Sequence, residues 1–396
     1  ISDTQIAFWT SLIMMPWTLK FLWSPFLEMY RTKKFFVLVT ELLSGVLFGI
    51  VAFSFFFDYF FAISISTMAV IAFSGATHDI ACDGVYMAEL NKEEQAKYIG
   101  VQGAFYNVAK LVANGGLVAM AGALAEYFGA IEGASLEANK GAYSYAWMII
   151  FAVIAAIMVL IGLYHIRMLP SNQIPSTTKK TTSEVGRELV AVIANFFTKK
   201  HIFYYICFII LYRLAEGFIM KIAPLFLRAS REVGGLGLSL KEIGTLNGVF
   251  GSAAFVLGSL LAGIYVSKFG LKRTLFTLCC IFNLPFVAYT FLAVTQPTNV
   301  YLIGTCITME YFGYGFGFVG LTLFMMQQIA PGKHQMSHYA FASGIMNLGV
   351  MLPGMVSGYF SDLLGYRNFF IYVLIATIPA FLITYFIPFT YDDSKK

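Results

Sequence analysis

Charge is what this sequence has least of. Asp, Glu, Lys and Arg make up 12% of its 396 residues, against roughly 25% in soluble domains, while hydrophobic residues reach 59% and mean hydropathy is +0.75. A water-soluble fold is excluded. The alternating segments of about 10 residues that build a membrane β-barrel are also missing, so the long apolar runs read as helices. The five cysteines (Cys82, Cys207, Cys279, Cys280, Cys306) all lie in apolar runs without CxxC or ligand spacing, so free thiols are expected, with neither disulfide nor metal site. There is no basic patch for nucleic acid, no distinct nucleotide motif and no GxGD motif of an intramembrane aspartyl protease. Such a protease also needs two carboxylates on facing helices, whereas Asp79 and Asp83 fall on one. No catalytic residue and no cofactor is expected.

What is present is an all-α polytopic membrane protein. Apolar runs place spans at about 5–23, 35–57, 60–88, 99–127, 143–166, 202–227, 242–266, 274–295, 299–328, 338–361 and 367–389. With the first span running inward, the loops on the inner side carry 17 of the 26 Lys and Arg, and the positive-inside rule makes that side cytoplasmic, the C-terminus included. Ile1 then lies outside with no signal peptide before it. A preceding inward-running helix would turn eleven spans into twelve, so the sequence reads as a fragment.

One long polar interval, Arg167 to Lys200, divides the spans. It ends in "SEVGRELVAVIANFF", where Val185, Leu189, Val192 and Phe196 fall at helical spacing, the pattern of an interfacial helix. The expected organisation is an N-terminal bundle over 1–166, a cytoplasmic linker over 167–200 and a C-terminal bundle over 201–396. "AGALAEYFGA", "AGIYVSKFGLKR" and "SGYFSDLLGYRN" each set glycines seven apart at a span end (Gly122/Gly129, Gly263/Gly270, Gly358/Gly365). Internal repeats of this kind mark many transporters, although glycine also ends helices for local reasons.

The charges inside the spans carry the functional reading. Asp79 lies about 10 residues from the cytoplasmic end of its helix and Lys110 about 11 residues into the next, so both sit at ~15 Å depth and can pair. Arg213 and Glu216 lie three apart on one helix face, and Glu310 stands mid-span with no cation near it in sequence. Each midplane charge costs ~3 kcal/mol on insertion scales, so these groups must pair or face water. A polar cavity between two bundles, binding substrate and a coupling ion, is one reading. Ion pairs that merely fix helix packing are the other. Asp83, one turn nearer the cytoplasm, is a gate residue or a solvated helix end. His78 beside Asp79 can titrate or simply hydrogen-bond. Lys20 and Glu41 lie near cytoplasmic ends, where they can snorkel or pair. Asn107, Asn247, Tyr106 and Tyr311 offer amides and aromatic faces to a polar, ring-shaped ligand, or serve as interhelical glue. The glycines at 313, 315, 317 and 320 allow close packing or bending.

"LKFLWSPFLEMY" (Leu19 to Tyr30) resembles the loop after the second helix of AmpG-type muropeptide permeases, a branch of the major facilitator superfamily that includes acetyl-CoA transporters. "AFSGATHDIACDGVYMAEL" is similar to that family's fourth helix, with Asp79 and Asp83 on its two acidic positions. "LYRLAEGF" matches the seventh-helix basic-then-acidic pair at Arg213 and Glu216, "TLNGVFG" matches at Asn247, and "MEYFGYGFG" at Glu310 and its glycines. The chain departs from the pattern where Asn107 and Val350 replace arginines.

The resemblance implies a two-bundle fold with helices 2–6 over 1–166 and helices 7–12 over 201–396. It also implies proton-coupled import of N-acetylglucosaminyl-anhydro-N-acetylmuramic acid, with or without peptide, across the bacterial inner membrane for cell-wall recycling. Asp79, Glu310, Glu216 and Asp83 are then the candidates for proton coupling. Lys110, Arg213, Asn107, Asn247, Tyr106 and Tyr311 are the candidates for substrate binding. The partners are a small sugar-peptide substrate, protons and the bilayer, with a monomeric chain. Another amino sugar, an acetyl-CoA-type ligand, or a non-transporting sensor or lipid flippase on the same fold remain as alternatives.

Overall fold

A bilayer core offers no water to backbone amides, so each segment must satisfy them internally. In the computed structural model the chain does so with helices, and no strand occurs among the described residues. Those are residue 13 and residues 15–131, 138–170, 182–238 and 240–391. Residues 5–12 and 14 of the first expected span, the linker segment 171–181 and Lys395/Lys396 therefore lie outside the described residues.

In chain order, α1 (Met15–Leu19) passes through a 3-10 turn (Lys20–Leu22) into α2 (Ser24–Met29), followed by α3 (Lys33–Ser54) and α4 (Phe60–Glu89). Next come α5 (Lys92–Leu111), a π turn (Val112–Leu117), α6 (Val118–Tyr127), α7 (Lys140–Met168) and α8 (Thr182–Phe197). Then α9 (Ile202–Tyr212), α10 (Leu214–Arg228), α11 (Leu240–Ile243), a π turn (Gly244–Gly251), α12 (Ser252–Phe269), α13 (Leu271–Asn283) and α14 (Phe286–Thr295). Last are α15 (Val300–Phe324), a π turn (Met325–Ile329) and α16 (Gln335–Tyr385). Local sequence explains several starts. Thr32 Oγ1 accepts from Phe35 N, Asn299 Oδ1 from Tyr301 N and Leu302 N, and Asn91 with Glu94 forms a reciprocal cap on α5.

Seven helical stretches among the described residues are long and apolar enough to cross a membrane. The 51-residue α16 is far longer than the ~20 residues a span needs, and it bends at Gly365 (φ 68, ψ 160) into the two spans expected there. The second glycines of all three repeat motifs, Gly129, Gly270 and Gly365, have positive φ, so these helix ends demand glycine. Other expected spans break at particular residues: 202–227 at Arg213, 274–295 at Pro285, and 99–127 and 242–266 at π turns.

The chain divides into two compact units. The first comprises Ile1–Glu89, Val112–Val192 and His334–Ala340. Its α3 packs on α4 and α7. Gly45 and Gly162 let α3 and α7 approach closely, since a Cβ at either would come within 3 Å of Val159 or Leu42. Serine pairs join α3 to α4: Ser44 Oγ to Ser74 Oγ at 2.9 Å and Ser54 Oγ to Ser64 Oγ at 2.8 Å. The interfacial pattern on α8 forms a helix that belongs to this unit as far as Val192, which is buried.

The second unit comprises Leu90–Leu111, Ile193–Lys333 and Phe341–Lys396. Here α12 is wedged between α5 and α15. The glycine run of α15 serves close packing on two sides: Gly315 faces the Phe255 carbonyl of α12, while Gly313, Gly317 and Gly320 face α13. Ser259 Oγ donates to the Gly315 carbonyl at 3.1 Å, fastening the same crossing.

Candidate functional site

In the second unit, the break between α9 and α10 falls on Arg213 (φ −106, ψ 7), the bridge region of backbone space where site residues recur. Its guanidinium makes a two-pronged pair with Glu216: Nε donates to Oε2 at 2.5 Å and Nη2 to Oε1 at 2.6 Å. Both residues are buried, and the guanidinium also lies 5.2 Å over the Phe318 ring of α15. Tyr212 donates from its hydroxyl to the Gly317 carbonyl at 2.8 Å, holding the break against α15.

Glu310, Tyr311 and Tyr314 project from that helix. Tyr314 feels the charges of Glu216, Arg213 and Glu310 and neighbours Tyr106, and Glu310 feels Glu216. The guanidinium is taken by Glu216 alone, and among the described residues Glu310 has no ion-pair partner. Asn247 lies in the π turn before α12 with a buried Oδ1 that meets no donor, and Gly251 at the end of that turn lies against the Tyr311 ring. Unexpectedly, an apolar groove of about 1390 Å³ between α12 and α15 is lined by Leu246, Phe250, Met309 and Phe312, with none of the charged candidates on its wall.

Lys110 and Asn107 are less engaged. The Lys110 ammonium lies 5.5 Å over the Tyr106 ring, and Asn107 Nδ2 donates to Gly103 O within its own helix.

In the first unit the expected Asp79–Lys110 pair is corrected: Asp79 pairs with Lys20, whose Nζ lies 2.6 Å from Oδ2. The depth count placed both helix ends in one plane. Depth along a helix does not fix which neighbour a side chain faces, and position 79 of α4 meets the turn after α1 instead. Trp23 Nε1 donates to Thr77 Oγ1 at 3.0 Å and seats that turn on α4. Asp83, one turn on, is buried and acts on the same lysine, which decides against a solvated helix end.

Sequence reasoning missed a second polar group. Glu41 is buried rather than snorkelling. Its Oε1 accepts from His165 Nδ1 at 2.7 Å, and His78 Nε2 stands 3.8 Å away. The signal was there: Glu41 is an acid within the apolar run 35–57.

A family model of the Major Facilitator Superfamily matches residues 1–332. The chain belongs to the Major Facilitator Superfamily. Superfamily relatives carry the resemblance further. The anhydromuropeptide permease of Escherichia coli K12 is 24% identical over 388 residues, covering 96% of this chain and 72% of that protein. Putative transporter AmpG 1 of Rickettsia bellii is 24% identical, covering 94% and 87%. The AmpG-type resemblance read from the motifs holds. The crystal structure of the superfamily transporter FucP in its outward conformation shares the fold at a TM-score of 0.70 and 12% identity, over 98% of this chain and 90% of that one. This superfamily member is a multi-pass membrane transporter of a small molecule, not an enzyme.

Proposed function

We propose that this chain is a proton-coupled importer of peptidoglycan-derived muropeptides, acting as a monomer by alternating access in a bacterial inner membrane with its C-terminus in the cytoplasm. The substrate class rests on the relatives, one of which is named for anhydromuropeptides, and on the motif resemblance. The observation that carries the coupling is the Arg213–Glu216 pair with Glu310 beside it.

A buried guanidinium bound on both prongs by a carboxylate is a poised anion site. When an acidic group of the substrate takes Arg213, Glu216 loses its counter-ion. A carboxylate left in a low-dielectric setting is costly until it takes a proton, so substrate and proton bind together. Glu310, without a cation, is the second carboxyl available to carry one, with Asp79 and Asp83 in the first unit. Asn247, Asn107, Tyr106 and Tyr311 supply amides and rings to the sugar, and Lys110 a second cation.

The test is uptake of radiolabelled N-acetylglucosaminyl-anhydro-N-acetylmuramic acid, with and without its peptide, into proteoliposomes under an imposed proton gradient. Gradient-dependent accumulation is expected. A folded protein that accumulates neither ligand would defeat the substrate assignment, and accumulation indifferent to the gradient would defeat the coupling.

A further inference from the structure

The Glu41 cluster of the first unit is unused by the mechanism above. It draws on three helices: α3 contributes Thr40 and Glu41, α4 contributes His78 and Cys82, and α7 contributes His165. Glu41 is 3% exposed, and its Oε2 meets no donor. The two imidazole side chains are about one-third exposed, 31% for His78 and 29% for His165. A buried carboxylate is therefore reached from outside through two rings. No group of three or more His, Cys, Asp or Glu among the described residues could hold a metal ion.

Hydrogen-bond accounting assigns the His78 tautomer. Thr40 Oγ1 has one proton, and it is committed to its own helix, 2.7 Å from the Phe36 carbonyl. Toward His78 Nδ1, at 3.0 Å, Thr40 Oγ1 must therefore accept, so Nδ1 bears the ring hydrogen. In the neutral ring Nε2 is then a bare acceptor. It faces the Cys82 thiol at 3.2 Å, which can donate, and Glu41 Oε1 at 3.8 Å, which as a carboxylate cannot. Two acceptors pointing at one another leave room for one proton. Adding it to Nε2 converts an unfavourable approach into a charge-assisted contact between imidazolium and carboxylate.

We propose that Glu41, His78 and His165 form a proton-binding site of the first unit, in which His78 Nε2 receives a proton from water and Glu41, braced by His165, is its counter-ion. The other ionisable groups around it are Asp79 and Asp83 on α4, Lys20 on the turn after α1, and Tyr164 beside His165. Lys20 is occupied by Asp79, and among the described residues the ion-pair partners of Glu41 are the two histidines. Its role in transport rests on the proton-coupled reading. The binding of the proton does not.

Two measurements separate these. In the full chain labelled with 15N-histidine in lipid, NMR titration between about pH 5 and 8, where histidine changes charge, should show His78 Nε2 gaining a proton and should lose that transition in Glu41→Gln. A His78 that does not titrate, or titrates identically in Glu41→Gln, overturns the site whatever the substrate is. In proteoliposomes, Glu41→Gln and His78→Asn, whose amide replaces only the Nδ1 donor to Thr40, should keep substrate exchange at equal pH. Both should lose gradient-driven accumulation and its pH profile. Unchanged accumulation with an unchanged profile in both variants overturns the coupling role, and exchange by the parent protein guards against a wrong substrate.

Discussion

The ammonium of Lys20, buried to 4% exposure, sits 2.6 Å from the carboxylate of Asp79, whose side chain is 45% exposed. The two halves of this ion pair therefore differ in what happens when the partner is removed. Asp79→Asn strands a buried cation, which costs about 3 kcal/mol or more, whereas Lys20→Met leaves a carboxylate that water can reach, costing ~1 kcal/mol or less. Denaturant or thermal unfolding in micelles should rank Asp79→Asn as the less stable variant, with the double variant Lys20→Met/Asp79→Asn recovering most of the loss. Equal losses would argue against the buried lysine.

The Arg213–Glu216 pair allows stability and transport to be separated. Glu216→Gln leaves Arg213 buried and uncompensated at about 3–5 kcal/mol, while replacing both by apolar residues is often near neutral. An Arg213→Met/Glu216→Leu variant should therefore unfold close to the parent yet fail in uptake. Arg213→Lys should also fail, because an ammonium cannot reproduce the two-pronged contact or the stacking on Phe318. Normal uptake by either variant would remove Arg213 from the substrate site.

Two glycine substitutions should move stability in opposite directions. Gly315→Ala drives a Cβ into the Phe255 carbonyl of α12, an overpacking that costs about 1–3 kcal/mol. Gly49→Ala in α3 meets nothing within 4 Å and should stabilise by roughly 0.5–1 kcal/mol through helix propensity. Unfolding midpoints compared with the parent give the signs directly.

At Gly365 the cost is conformational. A Cβ there meets nothing within 4 Å, yet φ 68 and ψ 160 place the residue where almost only glycine goes. Gly365→Ala should destabilise by about 1–3 kcal/mol. The same change at Gly358, seven residues earlier in open space, should be harmless. Similar midpoints for the two would mean that α16 runs straight through position 365.

The sequence by itself determined whatever depends on one segment: helix instead of strand, span ends at glycines, and the Arg213–Glu216 pair three residues apart. These follow from hydropathy, backbone sterics and helical spacing, and each is settled within a few turns of chain. Only the tertiary structure decided which charges meet across helices. Lys20 and Asp79 are 59 residues apart and Glu41 and His165 are 124 apart. Depth counted along each helix put Asp79 with Lys110 and left His165 unnoticed. Pairing between helices is set by how far each one protrudes and how it is rotated about its axis, and both are fixed by packing such as that of Gly45 on Val159, which no single segment encodes.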